Sequence, residues 1–137
     1  MAATLRLEIV TPETRAYSAD VEMVVLPAVE GEMGVYPMHS PLITEIKPGE
    51  LVVTTGGKQI SLAVGEGFVE ITGDKVSVLT DMALEESAID ESAAEAAIKR
   101  AEARLKEQHI TDEETSMVQA SIARSLAQLH VKRRKRP

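Results

Sequence analysis

The stretch LVVTTGGKQISLAVGEGFVEITGDKVSVL, residues 51–79, sets the architecture of the first part of the chain. Thr55-Gly56-Gly57-Lys58 separates Leu51-Val52-Val53 from Ile60-Ser61-Leu62, and Thr72-Gly73-Asp74-Lys75 separates Val69-Glu70-Ile71 from Val76-Ser77-Val78. Each pair of β-prone runs around a glycine turn reads as a hairpin, because glycine reaches the positive φ that a tight turn needs. Upstream, Leu5, Leu7 and Ile9 alternate with Arg6 and Glu8, and Val21, Met23 and Val25 alternate around Glu22. A period of two marks strands with one buried face. Short strands at close intervals, with no helix between them, predict a sandwich or a barrel.

The second half has a different grammar. All eight glycines lie at or before Gly73, whereas the eleven alanines after Met82 occupy a stretch with no Gly and no Pro until Pro137. Ser87-Ala88-Ile89-Asp90 resembles an N-cap with an acidic residue at N3, which predicts a long helix ending near Lys106. Gln108, His109 and Ile110 interrupt it, and Thr111-Asp112-Glu113-Glu114 offers a fresh capping box for a second helix. Val118, Ile122, Leu126 and Leu129 on the second helix should face Ala94, Ile98, Ala101 and Leu105 on the first, making an antiparallel hairpin. Much of that seam is alanine, worth about 0.8 kcal/mol per buried methyl-sized group, so the hairpin should be held weakly and be movable.

Composition narrows the function. Two Tyr, one Phe and no Trp leave Val, Ile, Leu, Met and Ala to build the core. With no cysteine there is no disulfide framework or thiolate chemistry, and His39, His109 and His130 lack a second ligand at metal-site spacing. The N-terminus reads as neither a signal peptide nor a membrane span. The net charge of −7 is uneven: Lys132, Arg133, Arg134, Lys135 and Arg136 hold five of the 15 basic residues, leaving ten against 22 acidic residues before them. Such a body repels nucleic acid, while the tail favours an acidic surface.

No catalytic constellation stands out. Gly57-Lys58 lacks the rest of a P-loop, no GxGxxG follows a strand, and no GxSxG is present. Glu85, Glu86, Asp90 and Glu91 are explained as the solvated start of a helix. The run from Gly31-Glu32-Met33-Gly34-Val35-Tyr36-Pro37-Met38-His39-Ser40-Pro41-Leu42-Ile43 to Thr44, Ile46, Lys47, Pro48 and Gly49 is dense in glycine and proline and predicts a rigid loop that presents Glu32 and His39 in fixed positions.

This run resembles the hallmark G-x-x-G-[VI]-x-P-x-H-x-P-L-[LI]-T-x-[IL]-K-P-G of the epsilon subunits of F-type rotary ATP synthases. The resemblance extends to the opening L-x-[IV]-V-[TS]-P-[ED], Leu7 to Glu13 here, and to Gly67-Phe68-Val69-Glu70-Ile71 and Val76-Ser77-Val78-Leu79-Thr80-Asp81. It implies a segregated α+β fold: an antiparallel β-sandwich of about ten strands in two five-stranded sheets over residues 1–86, then a two-helix hairpin with a basic tail over residues 87–137. The implied role is non-catalytic. The sandwich would join the gamma shaft to the membrane c-ring, with Gly31, Glu32, Met33, His39 and Pro41 near the rotor interface, so coupling proton flow to ATP synthesis.

For the hairpin, the resemblance implies two poses, one folded on the sandwich and one extended into the alpha/beta catalytic head, where it inhibits hydrolysis. Arg124 and residues 132–136, Lys132, Arg133, Arg134, Lys135 and Arg136, would then meet acidic segments of that head. Some members bind ATP through [IL]-D-x-x-R-A. Here that motif is Ile89-Asp90-Glu91-Ser92-Ala93-Ala94, with Ala93 in place of the arginine, so Ile89, Asp90, Arg100 and Arg124 form at most a weak regulatory ATP site and no cofactor is expected. The expected location is peripheral, on the cytoplasmic face of a bacterial plasma membrane, with no direct insertion. Two other readings are a free-standing ATP-sensing module and a nucleic-acid binder using the tail. The acidic body and the scarcity of aromatics oppose the latter.

Overall fold

The structure is a computed structural model that describes residues 3–134. Ten strands run in order: β1 (Leu5–Val10), β2 (Arg15–Val21), β3 (Met23–Ala28), β4 (Gly31–Val35), β5 (Leu42–Ile46), β6 (Gly49–Thr55), β7 (Lys58–Val64), β8 (Gly67–Thr72), β9 (Lys75–Thr80) and β10 (Ala83–Glu85). A single 3-10 turn, Glu86–Ala88, leads to helices α1 (Glu91–Leu105) and α2 (Asp112–Arg133).

The strands form two five-stranded layers. One is β4-β3-β6-β7-β10 and the other β5-β8-β9-β1-β2, joined by the single register pair Ala28 with Ile46. Both glycine hairpins are present, with Thr55 opposite Lys58 and Thr72 opposite Lys75. Gly56, Gly57 and Gly73 take φ of 57°, 76° and 55°, the left-handed region that side chains resist. One pairing departs from the antiparallel expectation: β1 runs parallel to β9, a contact between distant parts of the chain that no local turn signal reports.

Residues of both inner faces make one core, including Leu7, Ile9, Leu26, Leu51, Leu62, Val69, Ile71 and Val78. Strands at the two ends of the path approach each other as well. Tyr17 of β2 is half-buried, and desolvation together with the Glu85 charge raises its phenol above the ordinary value.

The alternation expected through residues 21–25 breaks at Glu22. Val21, Val24 and Leu26 are buried, while Met23 and Val25 lie only partly covered. The chain crosses there from the β1 layer to the β6 layer, and the crossing shifts the inward phase by one residue. Glu22 anchors the crossing: its N–H donates to the Thr54 carbonyl, and its carboxylate accepts from Gly56 N–H at 2.7 Å.

The first helix starts later than its predicted cap. Ser87 lies in the 3-10 turn, and Asp90 is the N-cap, its side chain accepting from Ala93 N–H at 3.0 Å. The extended residue before it, Ile89, is buried with Ala63 and Val131, and that contact holds the linker out of the helix. The second cap is as expected: Thr111 accepts from Glu114 N–H at 3.1 Å. Ala94 is the buried centre of the α1 stripe.

On α2 the predicted stripe drifts. Leu126 is 52% exposed, whereas Ser125, Ala127, Leu129 and Val131 are buried. Steps of four residues advance about 40° beyond a full turn, so a row at i, i+4, i+8 winds off a straight seam. Burial at every second residue arises because α1 covers one side of α2 while β6 and β7 cover another.

Candidate functional site

The proline-rich run does not form one loop. Its first five residues are β4, paired antiparallel with β3 from Val24–Val35 to Ala28–Gly31, and its end is β5; only residues 36–41 connect them. The strand pattern prevails because Val35 and Ile46 are needed in the core and Met33 packs against it. Glu32 is consequently exposed beside the β3-β4 turn, while His39 and Pro41 lie beyond the opposite end of β4. Gly31 takes φ of 130° at the turn. His39 is partly covered, and its Nδ1 lies 2.6 Å from the Ser40 carbonyl, a local hydrogen bond that braces the loop. Met38, with φ of 69°, donates its N–H to Asp74 at 3.0 Å and ties the loop to the β8-β9 turn.

A surface that the motif did not reveal lies on the outer face of the β5-β8-β9-β1-β2 layer. Register places Glu45 beside Phe68, Phe68 beside Leu79 and Leu79 beside Val10. Phe68 is 55% and Leu79 57% exposed, with Val10 and Val29 also open to solvent. Two shallow hollows of about 380 and 510 Å³ flank this row, sharing Glu66, Gly67 and Asp81. Isolated surface hydrophobics are ordinary, but an apolar row across three strands, with hollows beside it, is a docking surface in form. The register signal that could have found it is the outward phase of Phe68, Leu79 and Val10 against buried Val69, Val78 and Ile9.

The opposite layer is covered instead. Helix α2 packs on β6 and β7, and Ala63, Ile89 and Val131 are buried between them with Met82 and Leu84 alongside. Polar contacts surround this small patch. Arg124 pairs with Asp81 at 3.3 Å, and Lys132 donates to the Glu86 carbonyl at 3.3 Å. Arg133 bridges Glu91 and Glu95 of α1, and Arg134 reaches Glu50 of β6. The hydrogen bond to Glu91 raises the Arg133 guanidinium above its ordinary value; partial desolvation opposes the rise, and the Glu91 and Glu95 charges reinforce it. Lys135 and Arg136 lie outside the described residues.

The four residues assigned to nucleotide are engaged elsewhere or face solvent. Ile89 is buried, Asp90 caps α1, Arg124 holds Asp81, and Arg100 is exposed on α1.

Comparison with known proteins fits this two-part geometry. Residues 4–86 match the family described as ATP synthase, Delta/Epsilon chain, beta-sandwich domain, and residues 87–133 match its long alpha-helix domain. The chain belongs to the ATP synthase delta/epsilon family. An ATP synthase epsilon chain of Dehalococcoides mccartyi is 41% identical over 137 residues, covering 98% of each chain. One of Rhodospirillum rubrum is 37% identical over 136 residues, covering 98% of this chain and 99% of that one.

Among solved structures, a chain of the Euglena gracilis mitochondrial ATP synthase superposes with a TM-score of 0.72 at 23% identity, covering 90% of this chain and 78% of that one. A chain from the central stalk and c-ring of the Tetrahymena thermophila enzyme gives 0.60 at 10% identity, covering 96% and 98%. At those identities the likeness is one of fold. The family boundary between residues 86 and 87 falls inside the 3-10 turn, where the chain leaves the sandwich for the hairpin. Among the described residues no helix is long and apolar enough to cross a membrane.

Proposed function

We propose that this member of the family is a non-catalytic rotor subunit in the central stalk of an F-type ATP synthase. In this reading it links gamma to the c-ring, couples proton flow to ATP synthesis, and restrains ATP hydrolysis through its mobile hairpin. The observation that carries the reading is the bare apolar row Phe68, Leu79 and Val10 on one layer while the hairpin covers the other. A subunit that turns with a shaft needs a permanent contact on one side and freedom for its regulatory element on the other. In this arrangement gamma covers the row, and Glu32 at the exposed β3-β4 turn meets the polar loops of the ring. The assembly stands at the cytoplasmic face of a bacterial plasma membrane.

Bound nucleotide has no part in this coupling. In this reading ATP binds weakly, which the Ala93 in place of the arginine and the Arg124–Asp81 pair support, and both argue against the free-standing ATP sensor.

Substitution of the row tests the reading. Phe68→Asp and Leu79→Asp introduce charge at exposed positions, so each variant should keep the wild-type circular dichroism and unfolding midpoint. Each should lose at least about tenfold in affinity for gamma, the effect of burying an unpaired charge at an interface. Wild-type capture of gamma by both folded variants would overturn the assignment of this face.

A further inference from the structure

The apolar hold between hairpin and sandwich is small. Ala63, Ile89 and Val131 are its buried members, against sixteen residues in the sandwich core. Charge is concentrated where that hold ends. The body of the chain is acidic, and the last turn of α2 carries Lys132 and Arg133, with Arg134 as its C-cap. Each of these three side chains reaches back into the chain: Lys132 to the Glu86 backbone carbonyl, Arg133 to the Glu91 and Glu95 carboxylates, and Arg134 to the Glu50 carboxylate.

The Glu50 side chain is only 7% exposed and lies under the end of α2, with His130 Nε2 4.0 Å from its Oε1. A charge-assisted pair to a carboxylate withdrawn from water is screened by salt less than a surface pair, and it fixes one approach direction for the arginine fork. The Arg133 fork is bidentate across one turn of α1, Glu91 and Glu95 standing four residues apart on one face.

We infer that Arg133 and Arg134 form an intramolecular latch that fastens the end of α2 to α1 and to β6 and holds the hairpin docked. Arg134 to Glu50 secures the helix to the sandwich, and Arg133 to Glu91 and Glu95 closes the hairpin on itself. Arg133 and Arg134 therefore favour the docked pose in the isolated chain. An acidic partner surface can recruit them only by displacing these glutamates. This inference concerns the chain alone, and it stands or falls separately from the rotor reading.

Hydrogen exchange by mass spectrometry on the full-length isolated chain tests it. In Arg133→Gln/Arg134→Gln the amides of α2 should exchange about fivefold faster at low salt, the sum expected of several partly exposed pairs. Amides of β8 and β9 should keep their rates. Raising salt from about 0.02 M to about 0.5 M should speed α2 exchange in the wild type, through screening of the exposed Arg133 pairs, and leave the double variant little changed. Lys106→Gln removes one charge at the end of α1 without touching either contact and should behave as wild type. Unchanged α2 exchange in the double variant would overturn the latch. So would equal acceleration in Lys106→Gln or equal acceleration in β8 and β9, which would point to net charge or to global stability instead.

Discussion

Gly65 and Gly67 bracket the start of β8, and they differ in what a side chain would meet. A Cβ at Gly67 would come within 1.8 Å of the Leu79 carbonyl oxygen and 2.8 Å of Thr80 Cα, which are backbone atoms of the paired strand. A Cβ at Gly65 would meet the Asp81 carboxylate at 1.8 Å, the end of a side chain that can turn away. Gly67→Ala should therefore cost about 3 kcal/mol, at the upper end of overpacking effects. Gly65→Ala should cost less in the sandwich, yet loosen the hairpin because Asp81 then leaves Arg124. Urea unfolding compares the two, and equal midpoints would contradict the contrast. Phe68 belongs to this scale as well. Its hydrophobicity was legible in the sequence, but its exposure was not, since exposure depends on which face of β8 the other strand layer covers and on the helices packing on β6 and β7 instead.

Helix α1 shows how an element is placed by one contact outside it. Its N-cap is Asp90 and not Ser87, because Ile89 is buried with Ala63 and Val131 and must stay extended to reach them. Replacing Asp90 with Ala removes the bond to Ala93 N–H and should cost about 1 kcal/mol of local stability. The expected result is faster exchange of the first α1 amides by about fivefold, with β7 and β8 unaffected; unchanged exchange would return the cap to Ser87. Strands and helices were themselves legible, since periods of two and of about 3.6 are local properties. The run of residues 31–49 misled because proline and glycine density reads as loop, whereas Val35, Met33 and Ile46 draw its two ends into strands.

For the whole molecule, the sandwich carries its own core. All sixteen residues of the main cluster lie at or before Val78, and the hairpin adds only the patch around Ala63. A chain truncated after Glu86 should retain one cooperative urea transition, with a lower stability set by newly exposed Ala63, Met82 and Leu84. Loss of cooperativity in that fragment would show the hairpin to be part of the fold nucleus. The tail illustrates the opposite dependence. Its charge is plain in the sequence and favours any acidic surface, but only the docked structure shows that Glu50, Glu91 and Glu95 of this chain are that surface for Arg133 and Arg134.

The amino-acid sequence by itself determined the division at the end of the β region, the two glycine hairpins, the helical pair and the family, because each rests on local periodicity, turn chemistry or a contiguous motif. Tertiary structure decided the parallel pairing of β1 with β9, the phase reset at Glu22, the separation of Glu32 from His39, the bare face of Phe68 and Leu79, and the partners of Arg133 and Arg134. Those features depend on which distant segments meet. Local patterns state what a residue prefers, and only packing states which neighbour satisfies it.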